Sequence, residues 1–228
     1  MLVKGHLIIT APLTLLYLIV LLGAWVITSF LNLNPLMLVL LFAAILVGTI
    51  GLLLIFYFFR DPNRTIPEVP ENAILSPADG TIYEILPDSS TKELIIRIRM
   101  SFLNVHVNRA PIDAKILSIK RKQGANWPMV SFIHRSSLIN SRKIIEMEAN
   151  VGDRVFPLTL VQITGIWARR LVFYPKESEI IRRGIKIGSI LLGSESDIHI
   201  PIDSEVHVKV GQPVQAGITT LAYLPVKK

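Results

Sequence analysis

Cysteine is absent from all 228 residues, which excludes disulfides, thiolate metal sites and a cysteine nucleophile. Metal spacing is missing as well: the five histidines form no His-x-x-x-His pair and stand in no His/carboxylate cluster. No Gly-x-Ser-x-Gly elbow offers a hydrolase nucleophile. Charge is almost missing from the start of the chain, where Lys4 is the only charged side chain before Arg60. A basic stripe interleaved with aromatics is not found either, so nucleic acid is not the expected partner despite a pI near 9.8.

What fills the uncharged stretch is apolar. Leu7 to Phe30 and Leu36 to Phe59 are both longer than the roughly 20 residues a bilayer-spanning helix needs. Asn32-Leu33-Asn34-Pro35 between them is short, polar and helix-breaking, so the pair reads as a transmembrane hairpin. A cleaved signal peptide is the alternative for the first run, and the second run close behind it argues against that. Lys4 precedes the hairpin and Arg60 and Arg64 follow it, which puts both ends, and the domain that follows, on the cytoplasmic side of the cell membrane. Tyr57, Phe58 and Phe59 are expected to anchor the second span at the interface.

Three regions follow: a hairpin over 1–59, an extended linker over 60–72 with prolines at 62, 67 and 70, and a domain over 73–228 large enough for its own core. All of the 24 Lys and Arg except Lys4 lie beyond the spans, against 17 Asp and Glu, so a basic domain faces anionic headgroups. Its pattern is β. Ala73 to Ile85 reads as strand, turn at Pro-Ala-Asp-Gly, strand; Leu94 to Met100 alternates isoleucine and methionine with Arg97 and Arg99. Ala114 to Arg121, Ile144 to Ala149 and Arg154 to Thr164 are further strands, while Trp127 to Ser141 reads as a loop and only Gly165 to about Leu171 has helical character. The Val206 to Gly217 stretch resembles the hairpins of lipoyl-carrier-like β-sandwiches, without the exposed lysine of a swinging arm. The expected fold is therefore mainly β, a sandwich or barrel of such hairpins and α+β at most, preceded by a two-helix hairpin.

Two features stand out as chemistry. Gly193-Ser194 lies between an apolar run and an alternating segment with Ile198, Ile200 and Ile202 on one face; by itself it is an ordinary strand-entry turn. His106 sits in Val-His-Val-Asn-Arg-Ala-Pro, a run that must leave its strand at the proline. His6, His134, His199 and His207 read as edge, surface or structural residues.

Four motifs then occur in one order: Ile74 to Gly80 (Ile-Leu-Ser-Pro-Ala-Asp-Gly), Val105 to Pro111, Val161-Gln162-Ile163 with Ala168-Arg169-Arg170, and Leu192-Gly193-Ser194. In this the chain resembles the phosphatidylserine decarboxylases, specifically the short membrane-associated proenzyme type that acts on phosphatidylserine or archaetidylserine. Arg60-Asp61-Pro62 after a hydrophobic hairpin is typical of that type. The resemblance implies that the Gly193-Ser194 bond is cut by the protein itself and that Ser194 becomes a pyruvoyl group, which forms a Schiff base with the serine lipid. No metal and no pyridoxal phosphate are then required. His106 is implied as the base and Asp79 as its orienting carboxylate. Arg109 and Arg169 are candidate anion contacts. The two chains would stay together as a heterodimer, with further oligomerisation open. Asn104 stands where many short relatives have an acid, and Arg109 where longer ones have a second histidine. Ser189, in an earlier Gly-Ser pair, lacks the strand that follows Ser194. A membrane-anchored binding domain without catalysis and a tethered serine hydrolase remain the alternatives.

Overall fold

The computed structural model describes residues 2–3, 6–31, 33–124, 139–165, 170–191 and 194–225; the side chains of Arg170, Leu191 and Ser194 are not described. The chain divides into two compact units, Met1–Pro62 and Asn63–Lys228.

The first unit is a pair of helices, α1 (Leu7–Phe30) and α2 (Pro35–Phe58), both long and apolar enough to cross a membrane. Asn34 caps α2 by accepting from the Met37 amide at 2.8 Å, and Pro35 opens it where no amide hydrogen is needed. The amide of Val3, ahead of α1, donates to the carbonyl of Phe59, just past α2, at 2.9 Å, so the helices run antiparallel as a hairpin. Tyr17 reaches across to Thr49 and packs over Gly48. Of the three aromatics expected at the interface, Tyr57 is exposed and stacks under the Arg60 guanidinium, whereas Phe58 and Phe59 are buried.

Among the described residues the second unit has fourteen strands. They are β1 (Ala73–Leu75), β2 (Gly80–Asp88), β3 (Glu93–Met100), β4 (Val107–Arg109), β5 (Ala114–Lys122), β6 (Arg142–Val151) and β7 (Arg154–Thr164). The remainder are β8 (Arg170–Phe173), β9 (Ile180–Ile181), β10 (Lys186–Leu191), β11 (Ser194–Pro201), β12 (Glu205–Val206), β13 (Pro213–Val214) and β14 (Thr220–Tyr223). An antiparallel eight-stranded sheet runs β13-β2-β3-β11-β7-β6-β5-β9, beside two three-stranded sheets, β1-β14-β12 and β4-β10-β8. The mainly-β expectation holds.

The core forms where strand alternation turns one face inward. Ile96 and Ile98 of β3, Ile145 and Met147 of β6, Leu160 of β7 and Ile198 and Ile200 of β11 are all essentially closed to water. Each such side chain contributes about 1.5–3 kcal/mol on burial. β6 and β7 form a tight hairpin in which Val151 faces Arg154 and Gly152 takes φ +57°, a conformation glycine adopts without strain.

Three local expectations change. The Pro-Ala-Asp-Gly turn does not fold β1 back on β2, because β1 pairs with β14 and the chain crosses between sheets there. Arg170 and Leu171 are extended in β8 against β10, not helical; residues 166–169 lie outside the description, as does most of the Trp127 to Ser141 stretch. In the C-terminal stretch, β12 and β13 are not partners of each other; β12 joins β14 and β13 joins β2.

Candidate active site

His106 is delivered by a turn. Asn104 Oδ1 accepts from the Ser101 amide and hydroxyl, each at 2.7 Å, and the Asn104 amide closes the turn onto the Ser101 carbonyl at 3.0 Å. The Asn104 carbonyl then faces His106 Nδ1 at 2.8 Å. A carbonyl only accepts, so Nδ1 carries the proton and the basic lone pair of the neutral ring is on Nε2. The amide oxygen of Asn104 supplies both acceptor bonds that the turn uses, so the turn does not require an acid there.

Backbone pairing ties the segment around this histidine to β10, the strand that ends at Leu191. The His106 carbonyl accepts from the Ile190 amide at 3.1 Å, and Val107 is in register with Ser189. Position 193 is three residues beyond Ile190, a reach of about 10 Å at full extension. Ser194 heads β11 in register with Met100 of β3 and Thr164 of β7, so it begins a strand held on both sides. Gly193, Arg169 and His134 lie outside the described residues.

Asp79 reaches the site indirectly. Its Oδ1 accepts from Arg64 Nη1 at 2.5 Å and from the Ala216 amide at 2.8 Å, and its Oδ2 from Arg64 Nη2 at 2.7 Å. Both side chains are nearly buried, which makes this a closed bidentate ion pair. The partner of His106 Nδ1 is thus the Asn104 carbonyl, and Asp79 secures the loop beside it. The Pro77 carbonyl of that loop accepts from the Arg109 amide at 2.9 Å and from Asn108 Nδ2 at 3.2 Å, three and two residues past His106. Sequence reasoning took Arg64 for a membrane-flanking charge and missed this pairing. Arg109 is buried, with Nη1 on the Gly184 carbonyl at 2.9 Å, a structural contact inside the domain. His199 and His207 face carboxylates, Glu93 and Glu205, at 3.0 Å each.

The family model for phosphatidylserine decarboxylase matches residues 52–222. The chain belongs to the phosphatidylserine decarboxylase family. It is 39% identical over 177 residues to the phosphatidylserine decarboxylase proenzyme of Ehrlichia canis, covering 75% of this chain and 76% of that one. Against the proenzyme of Chlorobium limicola it is 35% identical over 183 residues, with 78% and 83% covered. Against that of Streptomyces griseus it is 38% identical over 167 residues, 72% of each. The protein is therefore a decarboxylase, a carboxy-lyase, and the four motifs that carried the resemblance fall within the matched region, 52–222.

This decarboxylase also holds a pair of acids that sequence reasoning passed over. Glu195 and Asp197 are 0% and 4% exposed, and the Tyr83 hydroxyl donates to Glu195 Oε1. Burial, ahead of every other cause, pushes both carboxyls upward from the usual carboxylate range. Arg97 stands 3.6 Å from Asp197 and 2.8 Å from Glu84, and Arg99 stacks on the Tyr83 ring. The signal was in the alternation: acids at 195 and 197 are in register with arginines at 99 and 97.

Proposed function

We propose that this enzyme decarboxylates a serine glycerophospholipid, phosphatidylserine or its ether-linked counterpart, to the ethanolamine lipid after cutting its own Gly193-Ser194 bond. The observation that carries the reading is the His106 ring, closed from water, protonated on Nδ1 by its bond to Asn104 and tied through its backbone to the strand that leads to position 193.

His106 Nε2 serves as the base that takes the proton from the Ser194 hydroxyl as its oxygen attacks the Gly193 carbonyl. The peptide C–N bond breaks and an ester joins Gly193 to the Ser194 oxygen. Loss of the Ser194 α-proton then expels the Gly193 carboxylate, and water releases the nitrogen as ammonia, leaving a ketone at the new N-terminus. Asp79 with Arg64 acts as a positioning pair: it fixes the Pro77 carbonyl that holds the segment after His106.

The residues around position 194 fit such a group. Gln162 Oε1 and Ser196 Oγ, in register across β7 and β11, are buried polar atoms without partners, a neutral polar wall where a small polar group and its substrate can be received. Ser194 would bear the pyruvoyl group, which takes up the substrate amine and accommodates the electron pair left when CO₂ departs. β3 and β7 hold its strand in place, and the hydrophobic core beneath excludes bulk water. Arg169 remains a candidate for the lipid phosphate. Lys4 and Arg60 at the outer ends of the helix pair support a cytoplasmic-side domain at the cell membrane.

Denaturing mass measurement of the purified protein tests this. Two chains are expected, the smaller beginning at position 194 with a carbonyl in place of its amine, and Ser194→Ala should give one chain without activity. An active preparation consisting of one intact 25.5 kDa chain would overturn it.

A further inference from the structure

Gln162 lies between the two sheets that meet at the site. It belongs to β7, in register with Ser196 of β11, while its Nε2 reaches the β4-β10-β8 sheet and donates to Asn108 Oδ1 at 2.9 Å. The direction of that bond is fixed from outside. Asn108 Nδ2 must face the Pro77 carbonyl, which can only accept, so Asn108 Oδ1 is left to accept from Gln162, and Gln162 must present its amine there. Gln162 Oε1 is thereby held as an acceptor, fully buried and with no donor opposite. A fixed, buried, unmatched acceptor is costly unless something fills it. Position 194 is the diagonal neighbour of Gln162, since Ser194 pairs with Thr164 two residues along β7. Diagonal neighbours on a sheet face are about 7–8 Å apart, within reach of a long side chain.

A serine headgroup offers few atoms that an acceptor can bind. Its phosphate and carboxylate oxygens accept, and its hydroxyl is already esterified to phosphate. Only the amino nitrogen donates. We propose that Gln162 Oε1 receives that nitrogen and sets the substrate amine beside position 194, an inference that rests on the pyruvoyl reading above. The choice of an amide has a chemical reason. An amine must be uncharged to attack a carbonyl, and a carboxylate beside it would hold it as ammonium by raising its pKa. A neutral amide oxygen orients the amine without that penalty. The Ser196 hydroxyl, in register with Gln162, can turn to donate or accept, which suits the headgroup's remaining oxygens.

The test uses full-length protein in detergent, with Gln162→Glu and the volume-conserving Gln162→Met. Chain masses come first, and two chains are expected for all three proteins. A single chain in the unaltered protein would overturn the pyruvoyl reading itself. Mature enzyme is then mixed with ethanolamine glycerophospholipid micelles, reduced with borohydride, and the fraction of the 194–228 chain that gains the lipid mass is followed against pH. Gln162→Glu should move the half-maximum about one unit or more to higher pH, and shift the rising limb of kcat/KM with it. Gln162→Met should leave the half-maximum in place and lower kcat/KM about tenfold. Unaltered curves in both variants would overturn the inference. So would loss of self-cleavage in both, which would assign Gln162 to processing instead of substrate recognition.

Discussion

Arg64 and Asp79 show how a residue's neighbours decide what its charge does. Each side chain is under 10% exposed, so neither can lean on water if the other is removed. Arg64→Met should therefore destabilise the domain by about 3–5 kcal/mol in urea titrations, and Arg64→Met with Asp79→Leu should recover much of that loss while leaving the chain uncut. The acids at 195 and 197 make the opposite kind of prediction. Burial raises their folded-state pKa above the unfolded value, so the folded protein binds more protons and its stability falls as pH rises through that window. Asp197→Asn, which mimics the protonated partner, should flatten the fall. Thermal midpoints of the two proteins between pH 5 and 9 would diverge with rising pH, and parallel curves would overturn a raised Asp197 pKa.

Strands such as β3 and β7 could be read directly because their alternation has a physical cause: one face packs, the other meets water or charge. β1 could not, since three residues carry no information about a partner in β14, nearly 150 positions away. The same limit applied to Gln162, which reads as an interruption of an apolar strand until Asn108 is set against it by another sheet. The motif residues were legible as a set, yet the partner of His106 was not, because a backbone carbonyl leaves no mark in the sequence. Close packing between elements gives a further expectation. A Cβ at Gly188 would lie 2.2 Å from the Val172 carbonyl oxygen and 3.1 Å from Gln162 Nε2. Gly188→Ala should push β10 from β8, costing about 1–3 kcal/mol, and leave most of the protein as uncut chain on a denaturing gel. Gly152→Ala in the β6–β7 turn meets nothing within 4 Å and strains only φ, so about 1 kcal/mol should be lost with processing intact.

At the scale of the molecule the helix pair and the β unit divide between Pro62 and Asn63, and Arg64 falls on the β side. A chain starting at Asn63 keeps the Arg64–Asp79 pair and every strand among the described residues, so it should still process on a gel while losing its flotation with lipid vesicles. The place of β11 then has a further result. It lies in the middle of the eight-stranded sheet, and the segment after it supplies β12 and β14 to one sheet and β13 to the edge of another. The cut proposed ahead of Ser194 would therefore leave two chains woven through shared sheets. Before the cut, unfolding and refolding are events of one molecule. After it, refolding would require an encounter between two, at a rate set by concentration, so the proposed cut would turn a recoverable fold into one whose loss dilution makes permanent.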